Sequence, residues 1–154
     1  MRRRLLIIVS AMLIVAAAGS VVLAHAASAS GKQAAAKAKA RQFVGYWMGI
    51  DPLDGGDARR GITVDDGGHF SMIGRDTVLT LCDDTDRALI SGTGSIADSA
   101  LVLDDVVLEC FNNEEKLELT VRFEPLGKNI LREVVTTRTG APVDVILFHR
   151  VSQQ

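Results

Sequence analysis

The chain has 154 residues, with 17 Lys or Arg against 19 Asp or Glu and 47% hydrophobic residues. Seven of the basic residues (Arg2, Arg3, Arg4, Lys32, Lys37, Lys39 and Arg41) precede residue 43, which leaves 10 basic against 19 acidic residues, a balance of −9, from there to the end. A domain this acidic repels phosphate backbones, and no basic block interleaved with aromatics stands against that, so nucleic acid is not expected as a partner.

The first segment reads as an address. Arg2–Arg4 form a basic start, and Leu5 to Ala24 are apolar apart from Ser10, Gly19 and Ser20. Ala24-His25-Ala26 is a small-x-small pattern, so residues 1–26 are expected to be a signal peptide, with a second such pattern at Ala27–Ala29. The alternative is a retained anchor, because twenty apolar residues suffice to span a bilayer. In either case the three arginines send the remainder across the membrane. The protein is expected to be secreted or otherwise extracytoplasmic, touching the membrane only through this segment if it stays uncleaved. With no Cys near the cleavage pattern, a lipoprotein anchor is not expected. Residues 27–42 are Ala- and Lys-rich and hold no large apolar side chain, which fits a linker or short helix.

Residues 43–154 then form one domain of normal single-core size. Its pattern is that of strands. In "KLELTVRFE", Leu117, Leu119, Val121 and Phe123 alternate with Glu118, Thr120, Arg122 and Glu124. In "ALVLDDVVLECF" the apolar phase slips at Asp104-Asp105, which predicts a β-bulge. "IADSAL" reads as a hairpin with a two-residue turn. Turn residues recur between short strands, which predicts an all-β sandwich or barrel. Strands are expected at 43–50, 60–65, 69–74, 77–82, 87–97, 100–111, 115–124, 129–138 and 143–151. Nine strands cannot close an up-and-down barrel antiparallel, so one is suspect, and suspicion falls on the short pair 60–65 and 69–74. The expected interior is Ile62, Val64, Leu79, Leu81, Leu101, Leu103, Leu117, Leu119, Val121, Phe123, Val143, Val145 and Leu147.

Two cysteines remain, Cys82 and Cys110, an even number in an exported chain, and a disulfide is the first reading. A metal pair or a catalytic thiol is the alternative. No CxxC accompanies them, and the mature chain has only His69 and His149. In a meander the two cysteines would sit two strand spacings apart, about 9.6 Å, so a bridge must pass beyond the start of the strand at 87–97.

Asp51, Asp54 and Asp57 follow the first strand. They are candidates for a weak calcium site, but they lack EF-hand spacing, and Pro52 with Gly55-Gly56 accounts for them as turn residues. The Asp pairs 65–66, 83–84 and 104–105 read as solvated surface. "SGTGS" at 91–95 lacks the Lys and the following helix of a phosphate loop. His149 is expected in the core or at a barrel end, and His69 on a surface turn. No GxSxG or comparable nucleophile motif occurs.

"GYW", with Trp47, and "FHRV", with Arg150, resemble the lipocalin-like (calycin) barrels. There a first-strand Gly-x-Trp is covered by an Arg from the last strand, which implies a Trp47–Arg150 seam. The ordered set "GYWMGIDPLDGG", "GGHF", "TLCDD", "GTG", "LVLDDVVLEC" and "FHRV" resembles an uncharacterised family of small exported bacterial domains, covering nearly all of 43–151. That resemblance implies a secreted β-domain with its two Cys bridged, and no activity. The expectation is therefore a small antiparallel up-and-down barrel of eight or nine strands that binds and does not catalyse, without cofactor. Its partner would be an envelope or extracellular protein met by the outer face, or a small apolar ligand in an internal cavity. An envelope enzyme is the remaining alternative.

Overall fold

The computed structural model describes residues 38–76, 82, 88–111 and 115–151. The expectations for residues 1–37, the turns at 83–86 and 112–114, the Asp83-Asp84 pair and the interior positions Leu79 and Leu81 lie outside the described residues. The barrel belongs to a compact unit that begins at Lys39.

Eight strands follow in chain order: β1 (Gly45–Ile50), β2 (Asp57–Val64), β3 (Phe70–Asp76), β4 (Ala88–Ala97), β5 (Ala100–Cys110), β6 (Lys116–Gly127), β7 (Ile130–Thr137) and β8 (Pro142–Arg150). Each pairs antiparallel with the next, and β8 pairs with β1 to close the barrel. Closure removes the free edges that would otherwise template aggregation. The hairpin between β4 and β5 turns on Asp98 and Ser99 (φ 47° and 66°). Positive φ at both central residues matches the twist of the flanking strands.

The bulge expected in β5 is present. Its register with β6 jumps from Leu103↔Val121 to Val106↔Leu119, which leaves Asp104 and Asp105 exposed and unpaired on that side. A second irregularity faces it in β4 at Thr93/Gly94. There a Cβ on Gly94 would sit 1.9 Å from the Val102 carbonyl oxygen, so only glycine allows the two strands to approach.

Alternate residues of every strand point inward and fill the barrel. Trp47, Phe70, Leu101, Leu103, Val121, Phe123, Leu131 and Phe148 are each at most 2% exposed. Phe43, just before β1, is fully buried and meets Phe70 edge to face at 6.1 Å. That packing plugs the end of the barrel where the chain enters. An eight-stranded barrel is just wide enough for side chains to fill it.

The strand count resolves differently from the sequence expectation. The suspected pair 60–65 and 69–74 are genuine strands, β2 and β3. β3 pairs directly with β4; the strand expected at 77–82 falls, apart from Cys82, outside the described residues, and Cys82 itself lies in a turn. The phase expected for the last strand is also corrected. Val145 and Leu147 are half exposed, while Ile146 and Phe148 are buried, and Val143 is half-buried. The stretch is apolar on both faces, so alternation alone does not choose between them. Pairing of Arg150 with Trp47 places positions 150, 148 and 146 inside. A register shift at Val135/Thr136 then leaves Val143 beside the rim.

Cys82 and Cys110 form a disulfide with Cα atoms 5.5 Å apart. Cys110 ends β5 opposite Ala88 of β4, and Cys82, in a turn, bonds to it there. That removes the spacing problem, because Cys82 is not held on a strand.

Candidate functional site

At the entry end the structure brings Trp47 and Arg150 together. The guanidinium carbon lies 4.1 Å from the indole centroid. The indole N–H donates to the Phe43 carbonyl at 2.8 Å. Arg150 donates to the carbonyls of Val44 and of Gln42, the latter at 2.8 Å. With a longer bond from Arg150 to the Arg41 carbonyl at 3.4 Å, four backbone carbonyls of the incoming chain are held by two side chains of the closing strands. Burial lowers the pKa of Arg150, which nevertheless stays charged.

Deeper in the barrel lies an ion cluster that the sequence reading missed. Arg60, with a fully buried side chain, donates to Asp76 at 2.8 and 3.0 Å and to Glu133 at 3.0 and 3.1 Å. It also donates to the carbonyls of Arg59 and Arg75 and lies 5.1 Å from the Phe148 ring centroid. Burial opposes the charge on Arg60, but Glu133 and Asp76 outweigh it and push the pKa up. One guanidinium serves two carboxylates, so Glu133 is under-neutralised. Burial first, with Asp76 adding to it against Arg60, pushes Glu133 up to about 7. The signal was in the alternation. Arg60 is in phase with Ala58 and Ile62, and Glu133 with Leu131 and Val135, all of which point inward.

The other end of the barrel holds the acidic loop. Asp51 Oδ1 accepts from the Leu53 N–H, and Asp54 Oδ1 accepts from the Gly56 N–H, each at 2.7 Å. Asp57 is exposed and pairs with Arg59 at 3.3 Å. The three aspartates therefore serve two Asx-type turns and a surface pair. Among the described residues no group of three or more His, Cys, Asp or Glu is placed to hold a metal ion. Asp51 is only 3% exposed. Burial, then Asp144 and Asp54, raise its pKa to about 6 against the Leu53 N–H. Asp51, Asp76 and Asp144 border a crevice of about 20 Å3, floored by Ile90, Leu108 and Ile146. That is about one water's worth of space.

The remaining motifs are placed as follows. "SGTGS" lies in β4, where Gly92 and Gly94 admit β5 at close range. His69 is exposed in the β2–β3 turn, 3.1 Å from Asp65, whose carboxyl it holds below the usual range. Asp66 shares that exposed turn. His149 is exposed on the outer wall opposite Met48, one residue before the end of β8, so of the core and barrel-end positions expected for it the core one is corrected. It follows from the phase of β8.

Two roomier concavities lie outside the barrel: one of about 590 Å3 at the entry end beside Gln42, Leu126, Asn129 and Arg150, and a groove of about 420 Å3 on the outer wall of β1–β4. The floor of the groove includes Gly61, where an added Cβ would lie 3.4 Å from the Tyr46 ring and 3.6 Å from the Ile73 carbonyl oxygen. Tyr46 and Ile73 are 60% and 59% exposed. The neighbouring outward row runs Met48–Arg59–Arg75–Leu89 across the four strands. No family model matches the chain, and neither does any curated protein. Fold and site thus define a closed, disulfide-bridged eight-stranded antiparallel barrel whose described inward side chains are buried, with an apolar groove outside.

Proposed function

We propose that the protein is an exported, lipocalin-like, non-enzymatic binding domain that meets its partner on the outer face of β1–β4 and not inside the barrel. The observation that carries this reading is the contrast between the two surfaces. The interior is occupied by aromatic and aliphatic side chains and the Arg60 cluster, and its crevice measures about 20 Å3. The outer groove measures about 420 Å3, within the usual range of ligand clefts. Large exposed apolar side chains grouped on one wall mark an interaction site. The Trp47–Arg150 contact supports the lipocalin-like reading. The disulfide supports an oxidising, extracytoplasmic location.

The test is mass spectrometry of molecules carried through native purification of the exported protein, together with photo-crosslinking from position 73 and, as control, position 105. The expected result is crosslinking from position 73 and no apolar molecule retained when Ile73→Asp is introduced. A stoichiometric apolar molecule that survives Ile73→Asp would place the ligand inside and establish the carrier function instead.

A further inference from the structure

The outer groove combines two chemistries in adjacent rows. One row is apolar, with its glycine low between two exposed side chains: Tyr46 on β1, Gly61 on β2 and Ile73 on β3, paired Tyr46↔Gly61↔Ile73. A Cβ on Gly61 would meet the Tyr46 ring at 3.4 Å, so the space over the glycine is bounded by that ring. The next row carries Arg59 and Arg75, directly paired and both exposed, between Met48 and Leu89. The groove's lining among the described residues includes Arg59 and Arg75 on its rim and no carboxylate. Arg59 shares its charge with Asp57 at 3.3 Å in an exposed pair, which a ligand anion can rival. This is a cationic spot on a domain with 10 basic and 19 acidic residues from residue 43 onward. The domain's net charge repels an anion, which here meets two guanidinium groups that favour carboxylates geometrically.

We propose that this groove binds a free long-chain carboxylate, with the aliphatic chain over Gly61 between Tyr46 and Ile73 and the carboxylate against Arg59 and Arg75. This rests on the outer-face reading and names its ligand class. A cationic or uncharged amphiphile lacks the head-group match, and a ligand without a chain leaves the apolar row uncovered.

The experiment titrates the exported, disulfide-intact protein with decanoate below micellar concentration and follows backbone amide shifts by NMR, with decanol and decyltrimethylammonium in parallel. The expected result is saturable shifts at Tyr46, Gly61 and Ile73, unshifted Leu103 and Val121, and at least tenfold weaker binding of the other two amphiphiles. Gly61→Val fills the recess from the solvent side and should weaken decanoate at least tenfold while leaving the melting temperature unchanged. If that variant fails to fold, Arg59→Gln/Arg75→Gln should produce the same loss. Decanol binding as tightly as decanoate overturns the proposal. Binding to anionic phospholipid vesicles with no saturable decanoate shift overturns it in favour of a bilayer surface. Absence of decanoate shifts alongside crosslinking from position 73 overturns the ligand class and leaves the outer-face reading standing. Saturable shifts at Leu103 and Val121 overturn both.

Discussion

Arg60 sits where a barrel of this size would ordinarily hold an aliphatic residue. Its guanidinium is matched by Asp76, Glu133 and two backbone carbonyls. Removing it leaves two buried carboxylates without a counter-charge, a change that typically costs about 3–5 kcal/mol. Arg60→Met should lower stability by that amount at pH 8, measured by urea unfolding, and by less at pH 5.5, where the carboxylates take up protons. The unmodified protein should also respond to pH. Glu133 at about 7 and Asp51 at about 6 are both raised above their ordinary values of 4.5 and 3.8. The folded state then binds more protons than the unfolded one between those limits, so stability is present at low pH and is lost as pH rises through about 6 to 7. The expected gain from pH 8 to pH 5.5 is on the order of 2 kcal/mol, and Glu133→Gln should remove most of the dependence. The sequence showed these residues to be charged and in phase with apolar neighbours. What it did not show is that three of them, separated by up to 73 residues, converge on one point. Only closure of the barrel brings them together.

At the scale of elements, the last strand shows how far alternation can be read. "VDVILFHRV" offers an apolar residue on either parity, so the pattern fits both faces. The deciding fact is a long-range one, the pairing of Arg150 with Trp47, which commits Phe148 and Ile146 to the core. A seam at Trp47 and outward positions for Val145 and Leu147 are therefore one statement. β5 was legible for the opposite reason, since the Asp104-Asp105 step marks its bulge locally. Arg150→Lys keeps the charge but loses the planar fork that reaches the Val44 and Gln42 carbonyls. It should cost about 1–3 kcal/mol, with a change in Trp47 fluorescence that reports the altered seam. Gly94→Ala should be worse than a surface Gly→Ala change, because its Cβ would overlap the Val102 carbonyl. A loss of more than about 2 kcal/mol in urea unfolding is expected. The disulfide closes a sequence separation of 28 residues, and in the chain-entropy model its removal should cost roughly 3–4 kcal/mol. Unfolding of Cys82→Ser/Cys110→Ser measures it.

For the whole molecule, the all-β barrel and its bridge were legible because short alternating strands and paired cysteines are local signals. The groove was not. It is made by a glycine on β2 beneath side chains from β1 and β3, and its arginine row appears only when four strands lie in register. The packing of the described interior was legible from the strand count alone, since eight strands enclose a space that side chains can fill. Together these put recognition on the wall and stability in the core. Crystals of the exported protein under xenon pressure test that division most directly, since xenon enters empty apolar space. The account predicts no xenon within the barrel and a site over Gly61 between Tyr46 and Ile73. Xenon bound among Leu103, Val121 and Phe123 would contradict it.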